Sequence, residues 1–343
     1  MAVEILLCTF EIYVTKQSKI DPYHMLRAQM KPIRLAAAVF LATTTMAMAQ
    51  EKVQISYSGV VSVAHLAGIS DTNDSLDYFY GNGDVSFRWS TANDLKFGAD
   101  LGIETFHILD DEDGSDSSAY YAAGFVEGRF GKVSIGMPRS VMAEYFTAPA
   151  LAGSEAFESE IGFFTSGDIV GLLKMSESGE ELYGARYDGK IGQIEVAAAA
   201  FRLSESSGHI EEIVARYDAG QWSVSLGTLL FEADVLSLGY TSLEVQGHAG
   251  KFSGGIVYSK NDFSIFTTIL NVDSICGFVS YDVNEMIKLN TQVLYLTAGA
   301  LEQNYYSFDL EYKNKTGAFI NAGVFTDESF SDNTFEVSLG YKF

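Results

Sequence analysis

The chain has 343 residues, and its 45 acidic residues against 22 lysines and arginines give a formal net charge of −23 at pH 7. This acidic balance excludes a nucleic-acid partner, because binding to a phosphate backbone depends on basic side chains. Two cysteines in the whole chain are also too few for a framework of several disulfides.

The first 49 residues are predicted to lie outside the folded product. Residues 30–34 are basic, residues 35–46 are small and apolar, and residues 47–49 form an A-x-A cleavage site. This is the pattern of a signal peptide over residues 30–49. Its apolar core is shorter than the roughly 20 residues that a membrane-spanning helix needs. Residues 1–29 precede a good start methionine and are interpreted as a mis-assigned gene start, with a longer functional leader as the alternative.

From residue 50 onwards, apolar and polar side chains alternate with a period of two, as in a sheet with one apolar face. Val337, Leu339 and Tyr341, for example, alternate with Ser338 and Gly340. The pattern predicts sixteen strands, near residues 53–63, 85–90, 95–103, 118–129, 132–137, 181–188, 191–202, 211–218, 221–231, 252–259, 262–270, 274–281, 286–297, 304–313, 317–326 and 334–343. Residues 232–251 are interpreted as one loop, and a further hairpin there would make eighteen strands.

The connections favour a membrane barrel over a water-soluble sandwich. Short turns alternate along the chain with longer polar loops, such as 64–82, 107–117 and 327–333. Short turns on one rim and longer loops on the other are typical of outer-membrane barrels, as are aromatic side chains near the strand ends. No apolar run after residue 49 is long enough for a helical span. The sequence therefore predicts an all-β, transmembrane antiparallel barrel surrounded by lipid.

The segment from Arg139 to about residue 180 lacks this alternation. It carries five acidic residues and no lysine or arginine between Arg139 and Lys174. A connection of this length without regular structure usually has a function. We interpret it as a loop folded inward that narrows a membrane pore, with its acids at the constriction. These acids are Glu144, Glu155, Glu158, Glu160 and Asp168.

Two stretches carry a resemblance to a known family. Residues 130–136 (FGKVSIG) are similar to the turn-and-strand signature of general diffusion porins, and residues 336–343 (EVSLGYKF) resemble the aromatic-ended assembly signal of outer-membrane proteins. With the signal peptide and a long third loop, residues 50–343 resemble Gram-negative general diffusion porins, most closely the alphaproteobacterial type. The resemblance implies an outer-membrane homotrimer that lets small hydrophilic solutes diffuse passively, without a cofactor.

The resemblance also implies a basic wall opposite the acidic loop. Arg88, Lys96 and Arg129 come from three consecutive predicted strands and are expected to form one patch in the lumen. Arg186 is a further candidate, either as positive charge in the pore or in a structural pair with Asp188. Any one of these charges has a simpler interpretation as solvated lining, since a water-filled lumen must be polar. Five acids against about three bases predict a weakly cation-selective pore.

Other functions fit the sequence less well. A plugged structural or adhesive outer-membrane barrel that acts through its external loops is the alternative to a channel. The acidic stretches 107–117 and 71–77 are possible structural calcium sites, although they lack the spacing of an EF-hand. Histidines are scattered, and no G-x-S-x-G or H-E-x-x-H motif occurs, so no enzymatic activity is expected.

Overall fold

A computed structural model describes residues 53–69, 75–91, 94–109, 116–146, 166–175, 181–204, 207–233, 236–265, 268–327 and 332–343. In these residues the chain forms sixteen strands and two short helices. The strands are β1 Val53–Ile69, β2 Ser75–Ser90, β3 Lys96–Ile108, β4 Asp116–Gly128, β5 Gly131–Met137, β6 Leu182–Ile191, β7 Ile194–Leu203, β8 His209–Asp218, β9 Trp222–Glu232, β10 Leu236–Ala249, β11 Phe252–Ile265, β12 Thr268–Asp282, β13 Ile287–Ala298, β14 Leu301–Lys313, β15 Ala318–Asp327 and β16 Asp332–Lys342. The helices, α1 Val141–Tyr145 and α2 Ile169–Met175, lie between β5 and β6. Within the described ranges, no helix is long and apolar enough to cross a membrane.

The sheet closes on itself. Each strand pairs antiparallel with its neighbours in the chain, and β16 pairs with β1. At the closure the Gly59 N–H donates to the Phe343 carbonyl, and the Phe343 N–H donates to the Gly59 carbonyl, both at 3.0 Å. A Cβ at position 59 would lie 2.6 Å from the Phe343 ring, so glycine lets the terminal aromatic side chain cross β1 here. The predicted 16-stranded antiparallel barrel is confirmed, and its closure pairs every strand edge, as a membrane requires.

The predicted strand count is right, although two of its parts are wrong. Residues 232–251 are not a single loop, because they contain β10. Residues 252–281, predicted as three strands, form only β11 and the greater part of β12. The missed strand and the surplus strand cancel, and the alternative of eighteen strands is wrong. The cause is visible in β10, where Leu236, Leu238 and Tyr240 are buried on the inner face while Leu243 and Val245 are exposed on the outer face, so alternation is weak.

The two rims of the barrel differ. Short turns join strands at what we call the turn rim, for example residues 129–130, 192–193 and 314–317. The segment 138–181 leaves from the opposite rim, which we call the loop rim. The loop predicted for residues 64–82 is wrong over most of its length, since β1 continues to Ile69 and β2 begins at Ser75. His65 and Asp77 still pair in the sheet there, and their polar side chains lie on the outer face with Nδ1 and Oδ1 2.5 Å apart.

The two faces of the wall follow the predicted phase. Val337 and Leu339 on β16 are 50% and 58% exposed on the outer face, whereas Glu336 and Ser338 are 3% and 5% exposed and face inward. Apolar side chains on the outside and polar ones on the inside are the arrangement of a barrel in lipid.

The inner face is itself divided. Phe231 on β9 and Leu238 on β10 point inward near the loop rim and are 1% exposed. Ser225 and Glu244, on the same two strands, point inward near the turn rim. The apolar residues belong to a cluster that includes side chains of α1 and α2. On the side of β7 to β14, the interior near the loop rim is therefore an apolar core.

Candidate functional site

The polar interior lies on the other side of the barrel, against β1 to β6. A cavity of about 440 Å³ is present there, bounded by these strands and by the start of the segment between β5 and β6. Among the described residues, charged side chains of both signs line it. The acidic ones are Asp84, Asp100, Glu144 and Asp188, and the basic ones are Arg88, Lys132, Arg139 and Arg186.

Two of the predicted wall residues are brought together. Lys96 Nζ lies 2.7 Å from Glu127 Oε1, and Arg88 Nη2 lies 3.7 Å from Glu127 Oε2. Because β2, β3 and β4 are adjacent and these side chains face inward, one carboxylate bridges both cations. Arg129 does not join them: it lies in the turn after β4, its side chain is 92% exposed, and its nearest anion is Asp94 at 3.5 Å. Alternation predicted a strand that includes Arg129, but β4 ends at Gly128. Arg129 therefore lies outside the strand, and its side chain does not face the lumen.

Two further bases were missed by the sequence analysis. Lys132 Nζ on β5 lies 2.6 Å from Asp100 Oδ2 on β3. Arg139, just after β5, donates from Nε to Asp84 Oδ1 at 2.9 Å and from Nη2 to Asn82 Oδ1 at 2.9 Å. Lys132 has the same phase as the inward Ser134, which is the signal that could have identified it. Arg139 has no strand phase, so its position depends on the tertiary structure.

Arg186 is the most buried base of the cavity, with a side chain 8% exposed. It contacts the carboxylate of Glu144 and lies 2.6 Å from Asp188 Oδ1. The structural pair predicted between Arg186 and Asp188 is therefore confirmed, and Arg186 lines the cavity at the same time. The same Arg-Tyr-Asp sequence occurs at residues 216–218, but there Arg216 donates to Ser223 Oγ at 3.2 Å.

The predicted acids of the long segment have different positions. Glu144 is paired with Arg186 and remains 47% exposed. Asp168 caps the start of α2, where its Oδ1 accepts a hydrogen bond from the Gly171 N–H at 2.9 Å. Glu155, Glu158 and Glu160 lie outside the described residues.

A carboxylate on the wall holds the beginning of the segment. Glu212 on β8 is 4% exposed and faces inward. It accepts two hydrogen bonds at 2.8 Å, one from Ser140 Oγ and one from the Val141 N–H at the start of α1. On β9, Gly227 leaves room for this part of the segment, because a Cβ there would lie 2.6 Å from the Phe146 ring. The adjacent acid Glu211 points outward. The alternation of side chains along β8 is therefore enough to tell which of the two acids can reach the segment.

The far end of the segment contacts two other parts of the wall. A Cβ at Gly167, just before α2, would lie 2.5 Å from the Tyr240 ring on β10. At the end of α2, Lys174 Nζ donates to the Tyr120 carbonyl on β4 at 2.5 Å and lies 4.6 Å from the centre of the Tyr121 ring. Burial lowers the pKa of the Lys174 ammonium from its ordinary value to about 8.

A closed barrel with a charged interior cavity and a long connection between β5 and β6 narrows the choice of family. A model of the Gram-negative porin family matches residues 35–343. The chain belongs to the Gram-negative porin family. This porin matched no curated protein significantly by sequence.

Solved structures show the same fold at low sequence identity. A loop-deletion mutant of OmpT, an outer membrane protein of Vibrio cholerae, has a TM-score of 0.65 and 15% identity, covering 85% of this porin and 99% of that chain. An anion-selective porin from Comamonas acidovorans has a TM-score of 0.62 and 13% identity, covering 85% and 100%. A multiple mutant of Rh. blastica porin has a TM-score of 0.60 and 13% identity, covering 84% and 100%. The family match and this fold place the porin in the outer membrane.

Calcium binding is still a prediction for this porin. Residues 70–74 and 110–115, which contain most of the acids proposed as ligands, lie outside the described residues. In the part of the chain that the structure describes, histidine, cysteine and acidic side chains form no group of three or more that could hold a metal ion.

Proposed function

We propose that this porin forms a water-filled channel through which small hydrophilic solutes and ions diffuse passively. The charged cavity of about 440 Å³ on the β1 to β6 side is the observation that supports this role. Charged walls around a narrow aqueous passage sort solutes by size and charge. The apolar core on the opposite side confines the passage to one part of the barrel cross-section.

We further propose that the segment 138–181 crosses the lumen and narrows it. Its start is bonded to Glu212 on β8. Its later part passes from Tyr240 on β10 to Tyr120 on β4, which lies six strands away around the barrel. Contacts with walls this far apart support a path across the interior.

Weak cation selectivity is the third part of the proposal. Among the described residues, four acids and four bases line the cavity and offset one another. The sign of selectivity then depends on the remaining charges, above all Glu155, Glu158 and Glu160 in the same segment. The fold alone does not set this sign, because a porin described as anion-selective shares it. Three more carboxylates near the constriction would favour cations.

Assembly as a homotrimer completes the proposal. A structure described as the trimer form of OmpT from Vibrio cholerae has the same fold, with a TM-score of 0.62 and 12% identity. Ala122 and Gly124 on β4 point outward and would let barrel walls approach closely. A single-barrel mass from native mass spectrometry in mild detergent would contradict the trimer.

Planar-bilayer recordings of the purified protein test the channel. We expect stepwise conductance in KCl and a reversal potential across a KCl gradient that indicates a mild cation preference. Replacing Glu155, Glu158 and Glu160 together with glutamine should shift the reversal potential towards anions. Glu211, Glu232 and Glu302 face outward, so their joint replacement with glutamine removes the same charge as a control and should leave selectivity unchanged. Anion preference in the wild type would contradict the proposed selectivity.

A plugged barrel that acts through its external loops is the second candidate. The apolar core formed by the wall with α1 and α2 favours it, since that part of the interior excludes water. The same recordings separate the two functions. Folded, membrane-inserted protein without conductance steps would favour the plugged barrel.

A further inference from the structure

A groove of about 540 Å³ lies on the outer face of the barrel, across β6 to β9. Small outward side chains form its floor, and larger ones stand at its sides. The floor residues are Ala185, Ala198 and Ala200, and the side residues include Tyr187, Ile213 and Leu230. Ala185 is in register with Ala200, so the floor is continuous from β6 to β7. The volume is within the range of ligand clefts, roughly 300–1,000 Å³, and the groove lies on the face that contacts lipid.

The next row of outward side chains towards the loop rim is polar. Arg202 on β7 is in register with His209 on β8, and His209 is in register with Glu232 on β9. These strands have 10, 10 and 11 residues, which is the length that a tilted strand needs to span a bilayer. Because the three residues are at or next to the loop-rim ends of their strands, they lie at the level of the lipid headgroups.

The charge of Arg202 is not offset by a neighbouring carboxylate. His209 Nε2 lies 3.6 Å from Glu232 Oε2, and Lys260 Nζ, on the outer face of β11, lies 3.4 Å from Asp262 Oδ1. Arg202 is exposed and makes no hydrogen bond or ion pair with any other residue that the structure describes. Its guanidinium is therefore available to an anion, and guanidinium binds phosphate with two parallel hydrogen bonds.

One carboxylate belongs to the groove itself. Glu211 on β8 lines the groove and is in register with Ala200. Arg202 and Glu211 are diagonal neighbours on adjacent strands, a relationship that separates residues by roughly 7–8 Å. Within the described ranges Glu211 also has no hydrogen-bond or ion-pair partner. A charge on the lipid face is costly unless it is compensated, so Glu211 favours a cation beside it.

Selection of a lipid at this groove must come from the headgroup. Acyl chains are as apolar as the groove, so no hydrophobic driving force favours one lipid over another. A purely anionic headgroup is attracted by Arg202 and repelled by Glu211 and Glu232. A headgroup with one phosphate and one ammonium group offers an opposite charge to both kinds of side chain. Charge complementarity therefore favours the second kind of lipid.

We propose that this groove binds one phospholipid with a phosphoethanolamine headgroup. The phosphate contacts Arg202, the primary ammonium group donates hydrogen bonds to Glu211, and one acyl chain lies over the alanine floor. A trimethylated ammonium group has no N–H and cannot make these hydrogen bonds. Because the site lies on the outer face, it does not depend on whether the lumen conducts.

Native mass spectrometry of the folded protein in mild detergent tests the site. The protein is titrated with phosphatidylethanolamine, phosphatidylcholine or phosphatidylglycerol of identical acyl chains, and the apparent Kd of the first bound lipid is measured. We expect this Kd to be about fivefold lower for phosphatidylethanolamine, which corresponds to roughly 1 kcal/mol. Equal values for the three lipids would overturn the proposal by showing unselective binding. Tighter binding of phosphatidylglycerol would overturn it by showing a purely anionic site.

A matched pair of double variants locates the preference. Arg202→Met with Glu211→Gln removes both proposed headgroup contacts without changing net charge, and it should abolish the preference for phosphatidylethanolamine. The control Lys260→Met with Asp262→Asn removes one cation and one acid from the outer face away from the groove, and it should keep the preference. An equal loss in both doubles, or no loss in the first, would overturn the assignment.

The single substitution Ala198→Phe tests the groove separately from the charges. It places a large apolar side chain on the floor of a lipid-facing surface, so the barrel should fold while the acyl chain loses its place. We expect the apparent Kd for phosphatidylethanolamine to rise roughly fivefold, back to the value of the other lipids. An unchanged Kd in this folded variant would show that the lipid does not lie in the groove, and would overturn the proposal.

Discussion

The ammonium group of Lys174 on α2 lies 4.6 Å from the centre of the Tyr121 ring on β4. The guanidinium carbon of Arg139, at the start of the same segment, lies 4.2 Å from that ring centre. One wall residue therefore contacts both the start of the segment 138–181 and its helix α2. Cation–π contacts contribute about 0.5–2 kcal/mol each, with the larger values when they are desolvated, and the Tyr121 side chain is buried.

Replacing Tyr121 with leucine should loosen the segment. Leucine has no aromatic ring to attract the two cations, so the segment should sample positions away from the wall. We expect single-channel conductance to rise and open-channel noise to increase. Tyr121→Phe keeps the ring and should behave as the wild type in planar-bilayer recordings. Identical conductance and noise in the leucine variant would show that other interactions hold the segment.

Glu212 provides a second test of how the segment is held. Glu212→Leu leaves the Ser140 hydroxyl and the Val141 N–H without their acceptor, which typically costs about 1–3 kcal/mol in a buried site. A change of 1.4 kcal/mol is a factor of about ten in an equilibrium constant. We therefore expect limited proteolysis within the segment to be roughly tenfold faster, with the folded barrel retained. Glu212→Gln, which keeps one acceptor, should be intermediate.

The outward neighbour supplies the control for Glu212. Glu211 is on the same strand but points away from the segment, so Glu211→Gln should be cleaved at the wild-type rate. Equal cleavage of the Glu212→Leu variant and the wild type would mean that the two hydrogen bonds do not anchor the segment.

Lys174 predicts a pH dependence of selectivity. Its folded pKa of about 8 means that its positive charge is present at pH 7 and lost as pH rises above that value. Carboxylates with ordinary pKa values stay ionised throughout this range, so the loss of the Lys174 charge makes the segment more negative, and cation preference should increase between pH 7 and about 9.5. Reversal potentials across a KCl gradient measure the change. Lys174→Met should show the high-pH selectivity at pH 7 and no further shift from this group.

The same pKa fixes the sign of a stability effect. The folded value lies below the unfolded value of roughly 10.4, so burying the charged form opposes folding at neutral pH. As pH rises from about 8 to 10.4, the contribution of Lys174 should become less unfavourable. The wild type should therefore gain stability relative to Lys174→Met across that window in urea unfolding from detergent. A constant difference between the two proteins would contradict the assigned pKa.

The outer face predicts the response to charge in lipid. Val337→Arg should destabilise the barrel by about 2–4 kcal/mol if the position is near the bilayer midplane. Ser56→Arg places the same side chain inside the cavity, where water is available, and should fold normally. The fraction of heat-resistant folded barrel on unboiled gels compares the two. Equal loss in both variants would show that the assigned faces are wrong.

Alternation identifies strands only where the two faces differ. On β16 the outer face is apolar and the inner face polar, so the strand and its phase follow from the residues themselves. On β10 the half near the loop rim is apolar on the inner face as well, and the strand escaped prediction. At His65 and Asp77 the outer face carries polar side chains, while Ala64 and Tyr78 are buried in an apolar cluster on the inner face, and alternation again does not mark the strand.

The sequence by itself determined the closed membrane barrel, the direction in which most strand residues point, and the long segment after β5. These follow from period two and from lipid and water on opposite faces, which are properties of single strands. Only the tertiary structure decided that Arg139 joins the cavity while Arg129 stays at the rim, and that Ser338 is inward yet packed. The hydrogen bonds between Glu212 and the start of α1 are likewise visible only in the tertiary structure. These contacts join residues far apart in the chain, and no local pattern records which distant residues meet.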